Sequence, residues 1–238
     1  MKINIIGSGN VATHLEKALS GKAAITTVNP RTLSGIDQNA DLTLISVTDT
    51  AIPSVLTSLT AGNRSIKGVV AHTSGSTSIN IFSQFPIENY GVFYPLQTFS
   101  KDKELCYAEI RFFIEGSNIN AENVLKICAE MISRNVSFAD SIKRKRLHIA
   151  AVLSCNFVNH LWALSDEYLK EANLDFLCLI PLIEETLNKV KKIPPLKAQT
   201  GPAVRKDEKI IKEHLTALEE YPDIKEIYAL MSESIKGK

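Results

Sequence analysis

The four cysteines of this 238-residue sequence, Cys106, Cys128, Cys155 and Cys178, form no C-x-x-C pair and show no metal-ligand spacing. That spacing offers neither a cysteine metal site nor a disulfide framework, and the four are expected to be buried, reduced thiols. Charge of one sign is lacking too: 27 Lys and Arg against 26 Asp and Glu leave a formal net charge of +1. Nothing global draws such a chain to nucleic acid or to anionic lipid. Aromatic residues make up only 7% and show no stacking pattern beside a basic face, so no nucleic-acid partner is expected. The densest basic run, Lys143-Arg144-Lys145-Arg146, is short and reads as a solvated helix start. No apolar stretch approaches the ~20 residues that a membrane span needs. Residues 1–6 already read as a strand, with no signal segment ahead of it. These absences lead us to expect a cytoplasmic protein with no membrane partner.

What is present is ordinary for a globular protein, with 45% hydrophobic and 22% charged residues. There is enough apolar material for a real core in one or two domains. Short apolar runs at 1–6, 24–28, 42–47 and 67–72 alternate with helical patterns that open at Asn10 and Ala51. Further runs at 92–94 and 111–115 read as later strands, and a helix is expected to open at Asn120. Continuous apolar strands alternating with helices predict an α/β fold, a doubly wound parallel sheet covered on both faces. From Ser141 the pattern becomes helical throughout. One helix is expected over 142–172, a second over 176–192 with a kink at Pro181, a third from an N-cap at Asp207, and a fourth from Pro222. The division is placed at 139, giving a Rossmann-type domain over 1–139 and an all-α domain over 140–238. Four helices are too few to shield every apolar face in the latter, which predicts a homodimer.

The segment Gly7-Ser8-Gly9-Asn10-Val11-Ala12 is a G-x-G-x-x-A fingerprint between the first strand and the first helix. Gly7 permits the tight turn, Gly9 lets backbone approach a pyrophosphate, and Ala12 allows close packing of helix on strand. The helix start then offers free N–H groups to phosphates. The second strand ends in Val28-Asn29-Pro30-Arg31-Thr32, with no acid to accept the ribose 2′-OH of NAD. Arg31 can pair with a 2′-phosphate while Asn29 and Thr32 donate hydrogen bonds, so the expected cofactor is NADP(H) rather than NAD(H). The alternative for Arg31 is an exposed loop arginine.

With the motifs His72-Thr73-Ser74-Gly75-Ser76, Tyr94-Pro95-Leu96-Gln97-Thr98-Phe99 and Gln199-Thr200-Gly201-Pro202-Ala203, the chain resembles a bacterial family of Rossmann-like proteins with a C-terminal domain of unknown function. More broadly it resembles pyrroline-5-carboxylate reductase and the deazaflavin-dependent NADP oxidoreductases. The resemblance implies an oxidoreductase-like fold with a helical domain related to that of 6-phosphogluconate dehydrogenase, and it implies no particular substrate. It makes Gln97, Thr200 and Gly201 expected substrate contacts, and Asn156 similar to the helix asparagine with which related dehydrogenases bind substrate.

Val47 and Thr48 end the third strand and Thr73 follows the fourth, so both should flank the nicotinamide. Ser74 and Gly75 could present a hydroxyl and an N–H to substrate; the alternative is an ordinary Ser-Gly turn. On the long helix, His148, Cys155, Asn156 and Asn159 fall within a sector of ~100°. They either satisfy one another in a core or line a polar pocket. Many relatives carry a lysine one turn before the asparagine as proton donor, whereas this chain has Ala151-Val152-Leu153. His148 is the nearest substitute acid, and His72 the next. The expected catalytic set is therefore His148, Asn156 and Ser74, with Gly75, Gln97, Asn159, Thr200 and Gly201 on a small-molecule substrate and no metal. Two functions compete: an NADP(H)-dependent oxidoreductase acting on a small carbonyl or imine, and a non-catalytic dinucleotide-binding sensor or assembly protein.

Overall fold

The computed structural model describes residues 1–62 and 64–238, in two compact units, Met1–Asn156 and Phe157–Lys238. The first unit is built on a seven-stranded sheet: β1 (Lys2–Ile6), β2 (Ala24–Val28), β3 (Leu42–Ile45), β4 (Val69–His72), β5 (Tyr90–Leu96), β6 (Arg111–Gly116) and β7 (Val136–Phe138). Their spatial order is β2-β1-β3-β4-β5-β6-β7. This is the expected α/β, Rossmann-type doubly wound architecture, with one departure. β6 runs antiparallel to β5, with Tyr94 opposite Phe113, while every other pairing is parallel. The 3-residue β7 is too short and too polar at Ser137 to stand out in the sequence.

The two sheet faces are read from strand alternation. Ile3, Ile5, Leu42, Leu44, Val69 and Ala71 point to one face, covered by Leu15 and Leu19 of α1 (Asn10–Leu19) and by Leu125 and Ala129 of α3 (Ile119–Ile132). Ile6, Ile45 and Val70 point to the other, covered by Val55, Leu56 and Leu59 of α2 (Ile52–Thr60) and by Phe82. Each such side chain contributes roughly 1.5–3 kcal/mol by leaving water, so packing on the sheet outweighs propensity in holding these short helices. Helix α3 opens at Ile119, one residue earlier than expected, with Asn118 as its N-cap accepting the Ala121 N–H at 3.0 Å.

The change from strands to helices falls between Phe138 and Ser141, but α4 (Ser141–Ala151) belongs to the first compact unit. The reason is Arg144. Far from being solvated, it is 1% exposed, paired with the Glu115 carboxylate of β6, and donates to the Thr77 carbonyl at 2.6 Å. A π-helical turn at Val152–Asn156 follows and α5 (Phe157–Glu171) continues the helix. This Ser141–Glu171 helix corrects the expectation about apolar length. It contains an 18-residue window of mean hydropathy 1.3, none of it buried, and by length and composition alone could span a membrane. Polar residues such as His148, Ser154 and Asn156 interrupt the run, which hides in the sequence how apolar the whole helix is.

The second unit is all helical: α6 (Ile180–Val190), α7 (Pro195–Ala198), α8 (Glu208–Ala217) and α9 (Pro222–Lys236) follow α5. Pro181 starts α6 rather than kinking a longer helix, because a missing N–H costs nothing in a first turn. Asp207 caps α8 through the Ile210 N–H, as its sequence position indicates. Of the cysteines only Cys128 is buried, its thiol pushed up to about 12 by that burial; the other three are exposed, contrary to expectation.

Candidate functional site

The chain diverges at the carboxyl end of β1, where β2 lies to one side and β3 to the other. Such a switch point leaves a crevice beyond the strand ends. Gly7 sits there at φ +137°, and an added Cβ would stand 2.1 Å from the Ser46 carbonyl oxygen. Only glycine tolerates both that backbone conformation and that approach. Gly9 is the N-cap of α1; no side chain caps the helix, no acid occupies its first turn, and the space beside Gly9 is open. The α1 N–H groups are thus free to meet an anion, with the positive end of the helix dipole behind them.

A cleft of about 570 Å³ opens in front of this turn. Gly7, Ser8, Gly9, Asn10 and Val11 line it, as do Arg31, Val47, Thr48 and Thr73. Arg31 is exposed and forms no ion pair among the described residues. Three expected contacts lie outside the lining. Ala12 is buried in the core under α1. Asn29 accepts the Arg31 N–H at 2.9 Å and Thr32 accepts the Ser34 N–H at 3.3 Å, so both shape the loop that carries Arg31. Ala51, Ser54 and Val55 were not expected there; the 3-10 turn Asp49–Ala51 and the first turn of α2, which follow β3, bring them to the same cleft.

A second cleft, of about 590 Å³, shares Asn10 and Val11 with the first. Its other walls are the end of β5, with Tyr94, Gln97 and Thr98, and α4 with its π turn, with His148, Cys155 and Asn156. The wider π turn lets Ser154, Cys155 and Asn156 line one surface, an arrangement seen often at functional sites. No carboxylate, ammonium or guanidinium belongs to this lining among the described residues. Tyr94 is the residue that sequence reasoning passed over, although it lies in the motif that pointed to Gln97. Its hydroxyl oxygen is 3.1 Å from Nδ1 of His148, with the rings edge-on at 5.9 Å. Burial raises the phenol above its ordinary pKa, opposed by the nearby Arg144 charge.

Ser74 lines neither cleft. Its hydroxyl accepts the N–H groups of Ser76 at 3.1 Å and Thr77 at 2.9 Å, which closes the turn after β4. Gly75 in that turn touches the Tyr94–His148 pair: an added Cβ would meet His148 Nδ1 and the Tyr94 ring at 2.7 Å. His72 is ruled out as an acid. It is buried against Phe82, its pKa lowered to about 3 by burial first and the Arg144 charge second, and its Nδ1 accepts the Ser74 N–H at 3.2 Å. Asn159, Thr200 and Gly201 belong to the second unit, where Asn159 and Thr200 are exposed.

Residues 110–235, more than half of the chain, match the family described as a domain of unknown function, DUF2520. The chain belongs to the DUF2520 family. This DUF2520 member is similar over 100% of its length to 98% of a candidate NADP oxidoreductase from Bacteroides fragilis, at 39% identity and a TM-score of 0.89. It shares its fold with an imine reductase from Myxococcus stipitatus solved with NADP+ (16% identity, 100% of this chain and 93% of that one, TM-score 0.67). The fold is shared also with a reductive aminase from Aspergillus terreus solved with NADPH and ethyl-5-oxohexanoate (14% identity, 99% and 91%, TM-score 0.65). No curated protein matches the sequence. The resemblance carried by the three motifs is thus a family membership.

Proposed function

We propose that this chain binds NADP(H) and transfers a hydride between it and a small carbonyl or imine metabolite. The observation that carries the reading is the junction at the start of α1, where Asn10 and Val11 line both clefts. A dinucleotide whose phosphates meet Gly7–Val11 and whose 2′-phosphate meets Arg31 would turn its other end toward the neutral cleft. The bound dinucleotide supplies the hydride; the chain orients the substrate and manages the proton. His148 and Asn156, with Ser74 closing the turn beside them, form the chemical group of this reading. Gly75, Gln97, Asn159, Thr200 and Gly201 are its substrate contacts. The Bacteroides fragilis relative named for NADP supports the cofactor assignment. Consumption of NADPH absorbance against a panel of keto acids, ketones and cyclic imines tests it.

The segment Ala151-Val152-Leu153 has no ionisable side chain, and this favours a second reading, a dinucleotide-binding sensor or assembly protein. Tight NADPH binding with no turnover across the panel would select it.

The domain roles follow the same reading: 1–139 holds the dinucleotide, and 140–238 serves substrate and dimerisation. In the second unit Ala203, Ile211, Leu218 and Ser232 are the buried described residues, while Leu174, Leu177, Leu182, Leu187, Leu196 and Leu230 are exposed. An apolar cleft of about 440 Å³ lies among Leu161, Tyr168, Leu179, Ile227 and Met231. Exposed apolar surface of this extent marks an interface, and a second copy is its proposed occupant. Light scattering at micromolar concentration should return a dimer mass; a monomer would refute it.

A further inference from the structure

We infer that Tyr94 and His148 form a proton relay, in which the Tyr94 hydroxyl protonates the reacting oxygen or nitrogen of the substrate and His148 reloads the hydroxyl. This rests on the oxidoreductase reading above and answers its main difficulty, the missing lysine. Four observations support it. Tyr94 is 8% exposed, yet it lines the neutral cleft, and His148 is the hydrogen-bond partner of its hydroxyl. His148 is half-buried and lines the same cleft, so it can exchange protons with water. Gly75 leaves room for the pair where any side chain would strike both rings. Arg144 and Glu115 hold α4 one turn before His148, which fixes the ring against β5.

Reduction of a C=O or C=N bond proceeds as follows. A hydride, with two electrons from a reduced nicotinamide dinucleotide, forms the new C–H bond at carbon. The π pair moves to oxygen or nitrogen, and that atom bonds the Tyr94 proton. The pair of the broken O–H bond stays on the Tyr94 oxygen, which takes the Nδ1 proton of His148 as water delivers a proton to the other ring nitrogen. The substrate gains two electrons and two hydrogens, and the nicotinamide loses two electrons and one hydrogen.

The environment suits each partner. Burial keeps the Tyr94 proton in place between turnovers. A phenol alone would release it too reluctantly, and a proton donor hydrogen-bonded behind it makes the release favourable. Arg144 on α4, ion-paired with Glu115 on β6, is the charge that acts on the Tyr94 phenol, opposing burial, while burial and the same charge keep His72 at the end of β4 uncharged.

Tyr94→Phe and Gly75→Ala test the relay, with cyclohexanone and methylpyrroline as probes and NADPH as reductant. Turnover by Tyr94→Phe should fall at least about 100-fold, the lower range for a lost general acid, with NADPH affinity by calorimetry unchanged. Gly75→Ala, whose added Cβ would strike both rings and part them, should lower turnover in the same way with NADPH affinity unchanged. Near-wild-type turnover by Tyr94→Phe, or by Gly75→Ala, overturns the relay while the oxidoreductase reading stands. A wild-type protein that binds NADPH and reduces no carbonyl or imine sinks that reading and the relay together.

Discussion

Removing the Arg144 side chain should destabilise the first unit more than any surface substitution. The guanidinium is 1% exposed, ion-paired with Glu115, and hydrogen-bonded to the Thr77 carbonyl at 2.6 Å and to the Ser141 hydroxyl at 3.2 Å. Arg144→Ala would leave the Glu115 carboxylate, whose side chain is only 16% exposed, facing Ser141 without a cation. Breaking a buried pair on one side costs about 3–5 kcal/mol. For a unit of this size that corresponds to a drop in Tm of roughly 6–20 °C. The assay is urea and thermal unfolding by far-UV circular dichroism, with hydrogen exchange over β6 and α4 to locate the loss. Fluorescence of Trp162, which lies in the second unit, serves as an internal control. The paired substitution Arg144→Met with Glu115→Leu removes both charges and should recover most of the stability. A cost for Arg144→Ala below ~1 kcal/mol, the range of exposed pairs, would refute the claim that this pair ties α4 to the sheet.

Three further outcomes are expected. Arg31→Ala should lose about 1–3 kcal/mol of NADPH affinity, the range for a hydrogen bond to an ion, with NADH affinity unchanged; calorimetry showing equal losses would remove Arg31 as the 2′-phosphate partner. Gly7→Ala should abolish NADPH binding and lower Tm, since its Cβ would lie 2.1 Å from the Ser46 carbonyl oxygen at φ +137°; a variant that binds normally would show that the turn can yield. His72 has a folded pKa of about 3 against an ordinary 6.5, so the unfolded chain takes up the proton first. Its contribution is complete above pH 6.5 and is lost as pH falls toward about 3, by about 1.4 kcal/mol per pH unit for one proton. His72→Asn, which can still accept the Ser74 N–H, should flatten that slope in urea midpoints measured across the acid range.

Some of this was legible because it depends on neighbours in the chain. Strand alternation, the Gly7-to-Ala12 turn, the Asp207 cap and the Pro222 start are local properties of backbone and side chain, and the structure bears each of them out. The antiparallel turn of β6 was not legible, because its apolar run looks the same in either direction. Nor was the burial of Arg144: a basic run at a helix start has one ordinary reading, and only the position of Glu115, 29 residues away, makes burial affordable to the fold.

The first cleft was therefore largely determined by sequence, since its phosphate-facing wall is one contiguous segment whose glycines are required by backbone geometry. The second cleft was decided by tertiary structure. Tyr94 and His148 are 54 residues apart and meet only when β5 and α4 pack on the same side of the sheet, around a glycine that leaves them room. Helical periodicity placed His148 and Asn156 on one face but could not show the π turn that lets their neighbours share the lining. A hydrogen bond between distant side chains leaves no periodic signal in sequence, because its energy depends on where folding brings the two atoms and not on their spacing along the chain.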